Sequence, residues 1–374
     1  MRKNRVLFIY GTRPEAIKMA PLVKTLQRNP EVFETRICLT GQHREMLSQV
    51  NDFFGIKADY NLDLMRPGQS LAEFNARCLA ALDPVIAGEA ADMVFVQGDT
   101  TSVLVGALAA YYHSTAVAHL EAGLRSGDPY SPFPEEMNRK LVGQIASYHF
   151  APTRTAAENL RREGITKNVY IVGNTVIDAL QLGLNLIKAQ GDAEYRREFG
   201  FLDPAKRIIL VTGHRRESFG GGMERICDAL KVLASTCQNT QIVYPVHLNP
   251  NVQEPVRRIL GGLPTVHLIE PIGYPSMLWL LDQSAIVLTD SGGIQEEAPA
   301  LGKPVLVMRD KTERIEGIQA GTAILVGTDP EKIVAETRKL LDDGEAYKAM
   351  AKAVNPYGDG TTSEQIMKIL SESR

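Results

Sequence analysis

This chain is poor in cysteine, in long apolar runs and in net charge, and each shortage excludes a class of protein. Four cysteines in 374 residues, Cys38, Cys78, Cys227 and Cys237, show no metal or redox spacing. They read as buried thiols of a reducing compartment, not as a disulfide framework. No stretch approaches the roughly 20 apolar residues that cross a bilayer. The longest, Val103–Tyr112, reads as a buried helix. The basic start Met1–Arg5 precedes only the short run Val6–Tyr10, far below a signal segment, so a cytoplasmic protein with no membrane partner is expected. Net charge is −3, with 19 basic and 18 acidic residues up to Val172 and 22 and 26 beyond it. Neither half has the basic excess of a nucleic-acid binder. Neither Gly-x-Gly-x-x-Gly nor Gly-x-x-x-x-Gly-Lys-Ser/Thr occurs, so the usual loops for NAD and for P-loop ATP chemistry are missing.

What is present is a globular composition, 44% hydrophobic and 23% charged, at a length that favours two domains. Short apolar runs alternate with helical patterns throughout. Val6–Tyr10, Thr35–Thr40, Met93–Gln97, Ala116–Leu120 and Tyr148–Ala151 read as buried strands, with helices over 15–29, 43–54, 70–88, 101–113 and 135–146. Strands at Ile208–Val211, Gln241–Pro245, Val266–Leu268, Ile286–Thr289, Val305–Met308 and Ala323–Leu325 repeat the scheme. Non-alternating strands separated by helices predict α/β architecture with parallel sheets. The halves also begin alike. Val6–Glu15 and Ile208–Glu217 each run a strand into Gly-x-Arg-x-Glu, and Gly98-Asp-Thr-Thr101 finds its counterpart in Asp290-Ser-Gly-Gly293. Two Rossmann-like domains facing a cleft are expected, one over 1–172 plus 357–374 and one over 173–356. Ligands should meet the carboxyl ends of the strands. The turn-rich Asn355–Gly360 would send a final helix, 361–371, back to the first domain.

Strand-end residues are the candidates for chemistry. Ser291-Gly292-Gly293 leads from a strand into a helix, where backbone N–H groups suit a phosphate; a plain tight turn is the alternative. Glu296 and Glu297 are expected in the first turn of that helix, one serving its dipole and one free for ribose hydroxyls. Arg13, Lys18, Arg215, Arg216 and Arg314 stand near loops or helix starts, and Arg13 and Arg215 occupy matching positions. His214 follows a strand end and points to a functional role. Asp99, Glu121, Glu135 and Glu136 lie at strand ends or a helix start. Converging carboxylates suit general acid–base work, because burial and mutual repulsion spread their pKa values. A helix cap for Asp99 and a dipole partner for Glu135 or Glu136 are the simpler alternatives.

These motifs, with Gly11–Lys18, Gln42-His-Arg44, Glu121–Arg125, Pro134–Glu136, Gly213–Glu217, Asp290–Glu297 and Asn355–Gly360, resemble the bacterial non-hydrolysing UDP-N-acetylglucosamine 2-epimerases along essentially the whole chain. The resemblance implies a GT-B-like pair of Rossmann domains with the last helix packed on the first. It implies reversible conversion of UDP-GlcNAc to UDP-ManNAc by elimination of UDP to 2-acetamidoglucal and re-addition, for surface polysaccharide synthesis. It further implies a homodimer that uses no NAD, metal or other cofactor. Carried over by motif, Asp99, Glu121, Glu135 and His214 are catalytic. Arg13, Lys18, Ser291, Gly292, Gly293, Glu297 and Arg314 bind substrate. Gln42, His43, Gln69, Glu136, Arg215 and His247 match a second, regulatory UDP-GlcNAc site. A GT-B glycosyltransferase and a UDP-sugar sensor are the rival readings. The first lacks a visible acceptor patch, and the second has no use for three acid–base carboxylates.

Overall fold

The computed structural model describes residues 2–41 and 44–372, with backbone alone at 44–46; Gln42 and His43 lie outside the described residues. The alternating pattern resolves into two compact units, Met1–Leu182 with Tyr357–Arg374, and Gly183–Pro356. The first holds a seven-stranded parallel sheet of β1 (Asn4–Tyr10), β2 (Phe33–Leu39), β3 (Tyr60–Asn61), β4 (Met93–Gln97), β5 (Ala116–Leu120), β6 (Tyr148–Ala151) and β7 (Val169–Ile171), in the order β3-β2-β1-β4-β5-β6-β7. The second holds β8 (Arg207–Thr212), β9 (Thr240–Pro245), β10 (Val266–Ile269), β11 (Ser284–Thr289), β12 (Val305–Val307) and β13 (Ala323–Leu325), in the order β10-β9-β8-β11-β12-β13. Each is a Rossmann-like α/β unit. Its central strands are mostly apolar because helices cover both faces. Leu7, Phe8, Ile9 and Tyr10 have no exposed surface, and neither have Ile209, Leu210 and Val211. Each such side chain contributes about 1.5–3 kcal/mol of burial.

Strand order reverses between β1 and β4 in one sheet and between β8 and β11 in the other. A reversal opens a crevice at the carboxyl ends of the strands, where doubly wound sheets bind ligands. The paired motifs sit there. Gly11–Thr12 follows β1 and Gly98–Thr100 follows β4; Gly213–Arg215 follows β8 and Asp290–Ser291 follows β11.

The final helix, Thr362–Glu372, belongs to the first unit and packs on the helix Arg13–Gln27. Asn29 Nδ2 donates to Met367 Sδ at 3.1 Å, and the Ser363 N–H donates to Asp178 Oδ1 at 2.7 Å. Among the described residues, no helix is long and apolar enough to cross a membrane.

Three expectations need correction. Cys38, Cys78 and Cys227 are buried, but Cys237 is half-buried, because it directly follows the helix Gly221–Thr236. β3 and β7 are additional strands, two and three residues long, too short to leave a periodic signal. The helix after β11 begins at Gly292, so Glu296 and Glu297 fall in its second turn and its first turn holds no acid. They are not dipole partners; both are buried.

Candidate active site

In the first unit, Thr12 caps the helix Arg13–Gln27, with Pro14 in its first turn. Glu15 turns back to accept the N–H groups of Gly11 and Thr12 at 2.6 and 2.8 Å and the Thr100 hydroxyl. One carboxylate thus ties the loop after β1 to the loop after β4. Burial pushes its acidity toward the neutral form, against those hydrogen bonds. Arg13, at the start of this helix, is half-buried. One turn beyond it, Lys18 Nζ reaches Glu121 Oε1 and Oε2 at 2.7 and 2.6 Å. Glu121 also accepts from Gln97 Nε2, and from Asn174 Nδ2 at 3.1 Å.

Glu121 stands just beyond β5 with φ +62. Left-handed backbone costs a side-chain-bearing residue about 1–2 kcal/mol. Such strain persists only where surrounding contacts over-determine it. Two residues on, Gly123 has φ +90, and a Cβ there would lie 2.1 Å from the Ala156 carbonyl oxygen. No other residue fits. The sharp turn aims Glu121 back at β4.

Asp99 precedes the helix Thr101–Tyr112, whose cap position is Thr100, so its side chain is free of that duty. Arg139 Nη2 lies 2.9 Å from Asp99 Oδ2. Burial raises the pKa of Asp99, Arg139 and Lys18 oppose the shift, and Glu121 and Glu135 reinforce it. Glu135 opens the helix Glu135–Ile145, and its buried Oε2 has no hydrogen-bond partner among the described residues. Asp99, Glu121 and Glu135 therefore share one field: one paired with Arg139, one with Lys18, one with an open oxygen.

Glu136 has no exposed surface and accepts the N–H groups of Ser126 and Gly127 at 3.0 and 3.3 Å. Gln69 lies on a cleft of about 400 Å³ lined also by Leu71, Phe74 and Thr101. Its Oε1 accepts the Arg66 N–H at 3.2 Å and a guanidinium N–H of Arg77.

In the second unit, Asp290 is fully buried, and its Oδ2 accepts the N–H groups of His214 and Arg215 at 2.7 and 2.8 Å. Its Oδ1 has no hydrogen-bond partner among the described residues and lies 3.5 Å from His214 Nδ1. His214 stacks on His247, with centroids 5.3 Å apart and planes at 14°. Burial lowers the His214 pKa, Asp290 opposes, and His247 and Arg215 add to the lowering. Ser291 caps the helix Gly292–Ala300, its N–H bound to Thr289 Oγ1 at 2.9 Å. The first N–H groups of a helix have no intrahelical acceptor, which makes them an anion cradle. Arg314 Nε donates to Glu296 Oε1 at 2.7 Å, and a Cβ on Gly292 would lie 3.4 Å from Arg314 Cζ. Glu297 Oε2 would lie 3.5 Å from a Cβ on Gly293.

Gln97, Arg139, Asn174 and the side-chain role of Asp290 escaped the sequence reading. Arg139 alone left a local trace, four residues after Glu135 on one helix face.

The chain matches the family model described as UDP-N-acetylglucosamine 2-epimerase over residues 24–371. It is 54% identical to UDP-N-acetylglucosamine 2-epimerase of Escherichia coli (strain K12), across 99% of each chain. Among solved structures it is similar to UDP-GlcNAc 2-epimerase from Neisseria meningitidis bound to UDP-GlcNAc. That match has a TM-score of 0.90 at 44% identity and covers 98% of this chain and 100% of the other. It is also similar to the complex of S. aureus MnaA with UDP, with a TM-score of 0.86 at 43% identity, covering 99% and 96%.

Proposed function

Since the chain belongs to the UDP-N-acetylglucosamine 2-epimerase family and is an isomerase of that kind, we propose that it interconverts UDP-GlcNAc and UDP-ManNAc by eliminating and re-adding UDP. The observation that carries this reading is the set of three carboxylates at the crevice of the first sheet: Asp99 paired with Arg139, Glu121 paired with Lys18, and Glu135 with a buried oxygen that has no hydrogen-bond partner among the described residues. C2 of the sugar has no neighbouring carbonyl, so its proton is not acidic in the ground state. Breaking the C1–O bond first sends the electron pair to UDP and builds positive charge at C1. A carboxylate then takes the C2 proton, and the C–H pair becomes the C1=C2 bond of 2-acetamidoglucal. In the return half, a carboxylic acid delivers a proton to the opposite face of C2, and the UDP oxygen re-forms the bond to C1. The reaction needs a base, an acid and cations for the leaving diphosphate.

Asp99, Glu121 and Glu135 supply the acid–base groups. The Ser291–Gly293 helix start and His214 serve the diphosphate, joined by Arg13, Lys18 and Arg314, and Glu297 serves the ribose. Gln69, Glu136, Arg215 and His247, with Gln42 and His43, form a second UDP-GlcNAc site that activates the enzyme. A homodimer in the cytoplasm, feeding surface polysaccharide synthesis, completes the reading.

Proton NMR of UDP-GlcNAc with the protein in D2O tests it. Deuterium at C2, together with a UDP-ManNAc signal, is expected. Transfer of the sugar to an added acceptor with net release of UDP would mean a transferase, and an unchanged spectrum a sensor.

A further inference from the structure

Asp99 is held by the helix Glu135–Ile145 at two points. Asn138 Nδ2 donates to the Asp99 carbonyl at 2.9 Å, and Arg139 Nη2 meets Asp99 Oδ2 at 2.9 Å. The other arm of the same guanidinium, Nη1, lies 3.5 Å from Glu136 Oε2. Glu136 is immobilised in turn by the backbone of Ser126 and Gly127. The Arg139 side chain is 12% exposed, and its Nε has no hydrogen-bond partner among the described residues. Two carboxylates on opposite sides therefore set where the guanidinium stands.

We propose that Arg139 is a positioning residue for the reaction: anchored on Glu136, it fixes the Asp99 carboxylate in place and in charge. Lysine could not do the same, because an ammonium is a point charge and lacks the planar fork that reaches two acceptors. The charged groups facing Asp99 are Arg139 and Glu135 on this helix, Glu121 beyond β5, and Lys18 from the helix Arg13–Gln27. Burial works against the Asp99 charge, and so do both glutamates; Arg139 is the largest counterweight and Lys18 the lesser one. A helix-to-loop ion pair of purely structural use would leave the pH dependence of turnover untouched, whereas a positioning role predicts that its loss moves that dependence.

The inference rests on the reading of Asp99 as an acid–base group, so Asp99→Asn is measured beside Arg139→Gln and Arg139→Lys. Each variant is read by its Tm, by kcat and KM for UDP-GlcNAc, and by the pH profile of kcat/KM. For Arg139→Gln we expect kcat to fall about 10–100-fold with KM within about threefold, a partition that marks loss in the transition state. The limb of the profile that Asp99→Asn abolishes should move up by about 1–3 pH units, the usual influence of an adjacent arginine on an aspartate. Arg139→Lys should fall between, since it restores charge but not the bridge. A folded Arg139→Gln with wild-type kcat and unmoved limbs overturns the inference. Should Arg139→Gln fail to fold, wild-type kcat and limbs in Arg139→Lys overturn it equally. Near-normal turnover in Asp99→Asn would instead sink the catalytic reading itself, whatever Arg139 does.

Discussion

Lys18 places its ammonium 2.6 Å from Glu121 Oε2, closing a contact between residues 103 positions apart in sequence. The lysine side chain is 15% exposed and the glutamate 6%, so this is a buried pair. Removing one partner of such a pair leaves a buried charge uncompensated, at a cost of about 3–5 kcal/mol. Lys18→Met should therefore lower unfolding stability by about that much in denaturant titrations. The double variant Lys18→Met/Glu121→Gln should recover most of the stability and none of the turnover. A double variant no more stable than Lys18→Met alone would show that the pair's electrostatics do not matter to folding.

How much of this was legible beforehand follows from what each feature depends on. Met93–Gln97, Ala116–Leu120, Tyr148–Ala151 and Ala323–Leu325 read correctly to the residue, because a strand buried on both faces is a short, mostly apolar run without alternation. Tyr60–Asn61 joins its sheet through two residue pairs, too few to leave any pattern. In the site, Asp99, Glu121 and His214 were visible because polar residues directly after such runs land at the carboxyl ends of strands. Their pairings were not. Lys18 was already a candidate cation and Arg139 shares a helix face with Glu135. That Lys18 meets Glu121, that Arg139 meets Asp99, and that Gln97 and Asn174 join Glu121 follows from packing between separate elements, which no local window contains.

Asp290 holds the loop after β8 through one oxygen and faces the His214 ring with the other. It is the influence that raises the His214 pKa, against burial, His247 and Arg215. Asp290→Asn should therefore shift the His214 titration, followed by imidazole proton resonances, to lower pH. UDP affinity should fall with it, because the two N–H groups of the loop then bond to a neutral amide oxygen at about 0.5–1.5 kcal/mol each in place of a charged acceptor at about 1.5–3 kcal/mol. An unmoved His214 titration removes the aspartate from this role.

His119 and His149 face each other across β5 and β6, buried, each held down to a pKa of about 4, chiefly by desolvation. The folded chain therefore binds these protons only near pH 4, whereas unfolded histidines bind them from about 6.5 downward. Stability must fall as pH drops through that window, by on the order of 3 kcal/mol from His119 alone. His119 Nε2 sits 2.7 Å from the Gly98 carbonyl, and glutamine can keep a donor there. His119→Gln should flatten the loss of stability between pH 6.5 and 4. An unchanged slope in denaturant titrations across that range would contradict the linkage.

Regulation gives the last expectation. If a second UDP-GlcNAc binds Gln69, Glu136, Arg215 and His247, UDP-ManNAc alone should turn over with a lag that a trace of UDP-GlcNAc abolishes. The reason is linkage: a ligand that prefers the active state shifts the population toward it. Arg215 is the sharpest probe. Its backbone N–H is fixed on Asp290, its buried Nε has no hydrogen-bond partner among the described residues, and a guanidinium has the fork geometry that a diphosphate accepts bidentately. Arg215→Lys should lose activation because an ammonium cannot make that bidentate contact. Gln69→Ala should weaken activation while UDP binding at Ser291–Gly293 persists, since Gln69 belongs to the cleft near Phe74 and not to that helix start. The measurement is the initial rate of the reverse reaction at several UDP-ManNAc concentrations, with and without added UDP-GlcNAc. A hyperbolic curve with no lag, on which UDP-GlcNAc acts only as a product inhibitor, would remove the second site and leave the acid–base set of the first unit standing.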